Sequence, residues 1–373
     1  MYALEKSLED QIRDIKKPKP AIIFPEFNDH RVLSAASQLW DFADIFLPVT
    51  QEEFSAFIAA EKITPNAPWE ELQSRIHFID IRNLPELRQI FQQELVALSR
   101  GKKWQLDHST ASQWASDPLV FSIMLVRMGY ANAILGGLRY TSKEYFSPCL
   151  RLLEKERTVF ELGLFVLPDE HPAGIFRENI AVFSDVAINP APDAEALASI
   201  AVGTCQIVRD LIPESVLPII NGAIVCYSTK GSGEGASIDI VRNAEKRLAE
   251  KLDDLKTKNP RYSTIRIESE LQMSVAISAK AAERKIKNLP DHQAAGQANV
   301  IIVPNLDFGN SMYHLYAATW QNSLKLLQIG GLYSQALDFS RSSTAEDVVL
   351  AAKAMILQHL KRPDFSGWRP VAG

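Results

Sequence analysis

Cysteine is scarce. Cys149, Cys205 and Cys226 are the only three in 373 residues, far apart and without a CxxC pair. An odd, dispersed set excludes a disulfide framework and a thiolate zinc site, and it fits a reducing cytoplasm. A positive excess is also missing: 40 Lys and Arg stand against 45 Asp and Glu, a formal net charge of −5. That argues against a dedicated nucleic-acid binder, which would need a clustered basic excess. No apolar run approaches the ~20 residues that span a bilayer. The charged opening MYALEKSLEDQIRDIKK lacks the apolar centre of a secretory signal. The seven histidines show no HxxxH or HExxH spacing, so no metal is expected. There is no Gly-x-Ser-x-Gly elbow to support serine hydrolysis. What remains is ordinary globular composition, 46% hydrophobic and 23% charged, long enough for two domains at ~150 residues each.

Short apolar runs alternate with helical patterns. AIIF (21–24), ADIFLPV (43–49), IHFID (76–80) and ANAILGG (131–137) read as strands; 31–42, 86–99 and 118–130 read as helices. FELGLFVLP, NIAVFSDVAIN, VLPIINGAIVCYS and NVIIVPN are strands of the second half. Helices are expected near 191–212, 236–255, 272–287 and 344–361. The last opens after Ser343–Thr344 with Glu346 and Asp347 in its first turn, where carboxylates meet the positive end of the dipole. The tail reads as irregular, with Trp368 a candidate to dock on the body. Strand, helix, strand repeated in this way predicts an α/β fold with mainly parallel sheets.

Four segments depart from core-and-loop grammar. Ser228-Thr229-Lys230-Gly231-Ser232-Gly233-Glu234-Gly235 follows a strand and precedes a helix. It reads either as a flexible turn or as a backbone cradle for an anion. It is neither GxxxxGK[ST] nor GxGxxG, which argues against a nucleotide triphosphatase or a dinucleotide site. Asn299 to Tyr313 ends a buried strand in Pro304–Asn305, followed by a loop carrying Asp307, Gly309 and Asn310; strand C-termini in open α/β sheets are ligand positions. Leu337 to Asp347 gathers Ser340, Arg341, Glu346 and Asp347 at a helix start. It reads either as plain capping or as a phosphate fork with a neighbouring hydroxyl. Phe24-Pro25-Glu26 with Asp29 and Arg31 is the fourth and is weak alone.

Taken together, these segments resemble the phosphate acetyltransferase (phosphotransacetylase) family, within the acetyl/butyryl phosphotransferase group, over residues 20–360. The similarity rests on Ile23-Phe24-Pro25-Glu26 with Asp29, Arg31, Val32 and Leu33; on Gly136-Gly137 with Thr141; and on Ala187-Ile188-Asn189-Pro190. It continues through Ser228 to Gly233, Ala298 to Tyr313, and Asp338 to Arg341 with Asp347. The resemblance implies two α/β domains with a cleft between them holding the active site: domain I at 1–157 plus 328–373, and domain II at 158–327. It implies reversible acetyl transfer between coenzyme A and phosphate, with acetyl-CoA, phosphate and acetyl phosphate as substrates and products. No permanently bound cofactor is expected. A cytoplasmic homodimer without nucleic-acid or membrane partners is.

Residue by residue, the resemblance implies Asp347 as base toward the thiol, Ser340 as transition-state stabiliser and Arg341 as phosphate ligand. It implies substrate contacts from Ser228, Thr229, Lys230, Gly231, Ser232, Asn305, Asn310 and Tyr313. A free aspartate is about 4.6 units too weak a base for a thiol, so the mechanism needs burial around the acid or cationic charge around the thiol. Several family positions differ. The family arginine of a Glu-Leu-x-x-Leu-Arg pattern is Ser99 here, with Arg100 one place late. A second family arginine aligns with Ser147, leaving Arg100, Arg139 and Arg151 as substitutes. Asp-Gly-Pro-Leu-Gln-Phe-Asp appears as Glu268 to Ser274, and Ser342 stands where glycine is usual. These departures keep two alternatives open: a degenerate member that binds acyl-CoA or acyl phosphate with a regulatory role, and an acyltransferase for propionyl or butyryl groups.

Overall fold

The computed structural model describes residues 2–61, 69–167, 176–320 and 323–370. The chain forms two compact units, Leu8–Lys155 with Leu332–Gly373, and Met1–Ser7 with Glu156–Gly331. In chain order the elements begin with α1 (Tyr2–Asp14), β1 (Ala21–Ile23), α2 (His30–Leu39), β2 (Asp44–Leu47), α3 (Gln51–Ala60), α4 (Trp69–Arg75) and β3 (Ile76–Phe78). Then come α5 (Pro85–Ser99), α6 (His108–Ser116), α7 (Pro118–Arg127), β4 (Ala133–Gly136), α8 (Ser142–Leu152), β5 (Lys155–Val166), β6 (Ile180–Ser184), α9 (Ala194–Leu211) and β7 (Ile220–Val225). The remainder is α10 (Ala236–Lys258), β8 (Ile265–Leu271), α11 (Met273–Ile277), α12 (Ala279–Lys285), β9 (Val300–Ile302), α13 (Leu306–Thr319), β10 (Leu324–Leu332), β11 (Gln335–Asp338) and α14 (Ala345–Lys361).

The first unit is built on a five-stranded parallel sheet of order β11-β4-β1-β2-β3. Ile22 sits beside Ile45 on one side and Ala133 on the other. β1, β4 and most of β2 and β11 are buried, as strands covered on both faces must be. Short polar signals start the helices. Thr50 with Glu53, Thr141 with Glu144 and Thr344 with Asp347 form reciprocal capping boxes. Asp117 caps α7 ahead of Pro118. α14 is buried from Val348 to Leu360, and its Lys353 ammonium pairs with Glu9 of α1 at 2.5 Å. Trp368 of the tail docks, donating to Asp44 at 2.8 Å and meeting Phe46 edge-on.

The second unit carries a six-stranded sheet of order β10-β5-β6-β9-β7-β8. β5 and β6 are antiparallel, while β6, β9, β7 and β8 run parallel. The structure departs from the sequence reading at several elements. The stretch 272–287 is two short helices, broken at Ser278, which caps α12. The segment after Asn305, expected as a loop, is α13: the Asn305 side chain accepts from Phe308 N–H at 3.0 Å and starts the helix. β8, β10 and β11 were not expected from the sequence.

Candidate active site

In a parallel sheet with helical crossovers, the loops after the strand C-termini gather at one edge. In the first unit these are the β1–α2, β4–α8 and β11–α14 loops, and buried charges tie them together. The Glu26 carboxylate, 3% exposed, accepts the N–H groups of Leu138 (2.9 Å), Arg139 (2.6 Å) and Tyr140 (2.9 Å). Gly137 precedes them at φ +88°. A Cβ there would lie 2.2 Å from Asp338 Oδ1, so only glycine fits.

Arg31 joins all three loops. Its Nε and one Nη2 hydrogen donate to Asp29, its Nη1 to the carbonyls of Arg341 (2.9 Å) and Ser343 (2.8 Å), and its remaining Nη2 hydrogen to Leu138 O (2.9 Å). All five guanidinium donors are used. Burial raises the Asp29 pKa, but the hydrogen bonds from Arg31 outweigh it and hold the carboxyl below its usual range. A fully occupied guanidinium cannot also bind substrate, so Arg31 is a positioning residue. The sequence reading missed this role, and Glu26 with it, although both lie in the fourth segment.

The loop so held presents Ser340 and Arg341, both exposed. The Arg341 guanidinium makes no hydrogen bond or ion pair among the described residues. Ser340 Oγ meets Ser342 Oγ at 2.8 Å, a bond that a glycine at 342 could not make. Asp347 Oδ2 accepts from Thr344 N–H at 2.8 Å, which realises the capping reading, and Oδ1 has no partner among the described residues. Asp338, two residues before Ser340, is pushed up to about 6 by burial, with Glu26 adding to the rise and a Ser142 hydrogen bond opposing it. Arg139 donates to Asn28 O at 2.6 Å and lines a cavity of about 430 Å³ with Asp29, His30, Phe57 and Glu61. Arg100 does not join this group. It caps the far end of α5, which runs back toward the other edge of the sheet.

In the second unit the Ser228–Gly235 loop follows β7, and its anion cradle is already filled. Glu270 Oε1 accepts from Ser228 Oγ (2.7 Å) and Gly231 N–H (2.7 Å), and Arg242 closes on the carboxylate at 2.8 and 3.0 Å. The Arg242 hydrogen bond, against the opposing effect of burial, holds Glu270 down at about 2. Ser228 and Gly231, expected from sequence to contact substrate, are therefore spent on an internal acid. Glu270 occupies the position where the family pattern has proline. Ser232 Oγ accepts from Thr229 N–H at 2.8 Å, and Lys230, at φ +42°, faces Glu245 at 3.4 Å. Asn310 donates to Val186 O at 3.2 Å, and the Tyr313 ring packs on Phe165. Gly309 lets α13 approach closely, because a Cβ there would lie 2.0 Å from Asp185 O.

The filled cradle has a measurable signature. The unfolded chain takes up this proton near 4.5, whereas the folded chain resists to about 2. Between those values the unfolded state binds more protons, so acidification favours unfolding, by about 3 kcal/mol across the window. Urea denaturation from pH 5 to 2 is expected to show this loss in the wild type and a flatter profile in Glu270→Gln. Parallel profiles would contradict the assignment.

The family model described as phosphate acetyl/butaryl transferase matches residues 6–356. A phosphate acetyltransferase of Helicobacter pylori is 28% identical over 93% of this chain, which covers 60% of that relative. One of Pseudomonas aeruginosa is also 28% identical, with 44% of its length covered. The chain thus spans about half the length of these two relatives. A phosphate acetyltransferase of Borreliella burgdorferi, 28% identical, is covered to 92%. Among solved structures, a phosphotransacetylase from Streptococcus pyogenes has a TM-score of 0.73 at 25% identity, with 95% of this chain and 98% of that one covered. A Staphylococcus aureus phosphotransacetylase shares the fold at TM-score 0.74 and 24% identity, with the same coverage. With a matching family model over almost the whole chain and these relatives, the protein belongs to the phosphate acetyl/butaryl transferase family.

Proposed function

We propose that this protein is a phosphate acetyltransferase, moving an acetyl group reversibly between coenzyme A and phosphate. The observation that carries the reading is the Ser340–Arg341 loop: its backbone is fixed by Arg31, while the Arg341 guanidinium makes no hydrogen bond or ion pair among the described residues. A guanidinium with open donors suits a phosphoryl group, which it can grip by two parallel hydrogen bonds. In the direction of acetyl-CoA synthesis, the thiol of coenzyme A loses its proton to Asp347. The sulfur then attacks the acetyl carbonyl of acetyl phosphate, the carbon–oxygen bond to phosphate breaks, and Arg341 takes the charge of the departing phosphate. The Ser340 hydroxyl donates to the oxygen on which charge develops. Arg139, next to the Leu138 carbonyl that Arg31 holds, is the cation proposed to assist. Thr229, Lys230, Ser232, Asn305, Asn310 and Tyr313 are the proposed coenzyme contacts in the second unit. The two compact units are proposed as the two domains of the family, and the working form as a cytoplasmic homodimer.

The test is phosphate-dependent release of free thiol from acetyl-CoA by the purified protein. Turnover is expected; its absence from folded protein would remove the reading. One observation favours the alternative of binding without turnover. Ser99, where the family pattern has arginine, is fully buried and accepts from Leu106 N–H at 2.9 Å, so it offers nothing to a ligand. Side-by-side rates with acetyl-, propionyl- and butyryl-CoA separate the acetyl reading from longer acyl groups.

A further inference from the structure

The first unit holds another cavity, of about 570 Å³, lined by Lys102, Trp104, Arg127, Arg151 and Lys155. Topology fixes its place. Arg127 ends α7 and Arg151 lies in the last turn of α8, while Lys102 follows the end of α5. α7 leads into the start of β4, and α5 and α8 run back from the loop edge. The cavity therefore lies toward the strands' N-terminal edge, away from the loops that hold Ser340 and Arg341.

Helix C-termini collect carbonyl oxygens and negative dipole ends, so some positive charge here is ordinary capping. Arg127 and Lys155 fit that account. Arg127 donates to Leu152 O at 2.7 Å and pairs with Glu94 at 3.0 Å, with Glu154 at 3.8 Å; Lys155 donates to Leu150 O. Lys102 and Arg151 do not fit it. Neither side chain has a hydrogen bond or ion pair among the described residues. The Lys155 ammonium is pushed down, first by burial and then by Lys102, and both side chains line the cavity. Trp104 adds a flat wall, stacked on Trp114 with 4° between the planes.

We infer that this cavity is a second anion site, separate from the reacting phosphate, that takes a phosphorylated nucleoside. Its phosphate is held by Lys102, Arg151 and Lys155, and its base lies against Trp104. Two sources share that chemistry: a free nucleotide, or the 3′-phosphoadenosine end of coenzyme A. The second source rests on the acyltransferase reading; the site itself does not.

The probe is adenosine 3′,5′-bisphosphate, titrated into the full chain and followed by intrinsic tryptophan fluorescence. Saturable binding is expected, weakened at least tenfold in Lys102→Gln/Arg151→Gln and unchanged in Arg341→Ala. Unfolding curves establish that the variants fold. No saturable binding, or equal binding by the double variant, overturns the site. Kinetics then identify the source. A raised KM for coenzyme A but not for 3′-dephospho-coenzyme A in the double variant supports the coenzyme end. An unchanged KM alongside weakened probe binding supports a free nucleotide. Probe binding by a protein that shows no thiol release leaves the site standing and removes the acyltransferase reading.

Discussion

Replacing Arg341 by alanine is expected to lower phosphate-dependent thiol release by about 10²- to 10⁴-fold without unfolding the protein. Each hydrogen bond from a charged donor is worth about 1.5–3 kcal/mol when it acts on the transition state, and each 1.36 kcal/mol is tenfold in rate. A two-bond grip on the departing phosphate yields that range. The fold is expected to survive because the Arg341 side chain is exposed and makes no hydrogen bond or ion pair among the described residues, while its carbonyl, which alanine keeps, still bonds Arg31. Lysine at 341 is expected to recover part of the rate, since it restores charge but not the planar fork. Turnover by Arg341→Ala within a factor of three of wild type would remove the arginine from the chemistry.

Arg31→Ala is expected to act differently, striking stability and rate together. It leaves the Asp29 carboxylate, 7% exposed, without its ion-pair partner and strands the carbonyls of Leu138, Arg341 and Ser343. Removing one member of a buried pair costs about 3–5 kcal/mol. The loop carrying Ser340 and Arg341 loses its anchor, so kcat is expected to fall at least tenfold. Arg31→Lys keeps a charge beside Asp29 but cannot span three carbonyls. It is expected to regain stability more than rate, which is the mark of a positioning role. Denaturant unfolding combined with kcat and KM for both variants checks this; a fully active Arg31→Ala would refute it.

Much of this architecture is readable in the chain because its causes are local. β1, β2 and β4 are short apolar runs bounded by proline, glycine or polar residues, and α14 announces itself through Thr344 and Asp347. The failures share a different cause. β8 reads IRIESEL, and its charges mask a strand because their partners are remote: Glu270 pairs with Arg242, and one oxygen of Glu268 meets His292 at 2.8 Å. β11 hides because Gln335 is polar yet buried, bonded to His359 of α14. Asn305 after Pro304 looks like a turn, and its side chain instead starts a helix. The site divides in the same way. Ser340, Arg341 and Asp347 are legible as a cluster in one segment. That Arg31 reaches a carbonyl 310 positions away, and that Glu270 closes a loop 39 positions away, are facts of tertiary structure alone.

The saturated guanidinium of Arg31 also sets a reciprocity. Three loops share one residue, so a displacement that strains the Arg341 carbonyl is passed to Leu138, beside Arg139, through the guanidinium that bonds both. If a phosphate at Arg341 orders its loop and thereby raises the affinity for an occupant beside Arg139, that occupant must raise the affinity for the phosphate by the same factor.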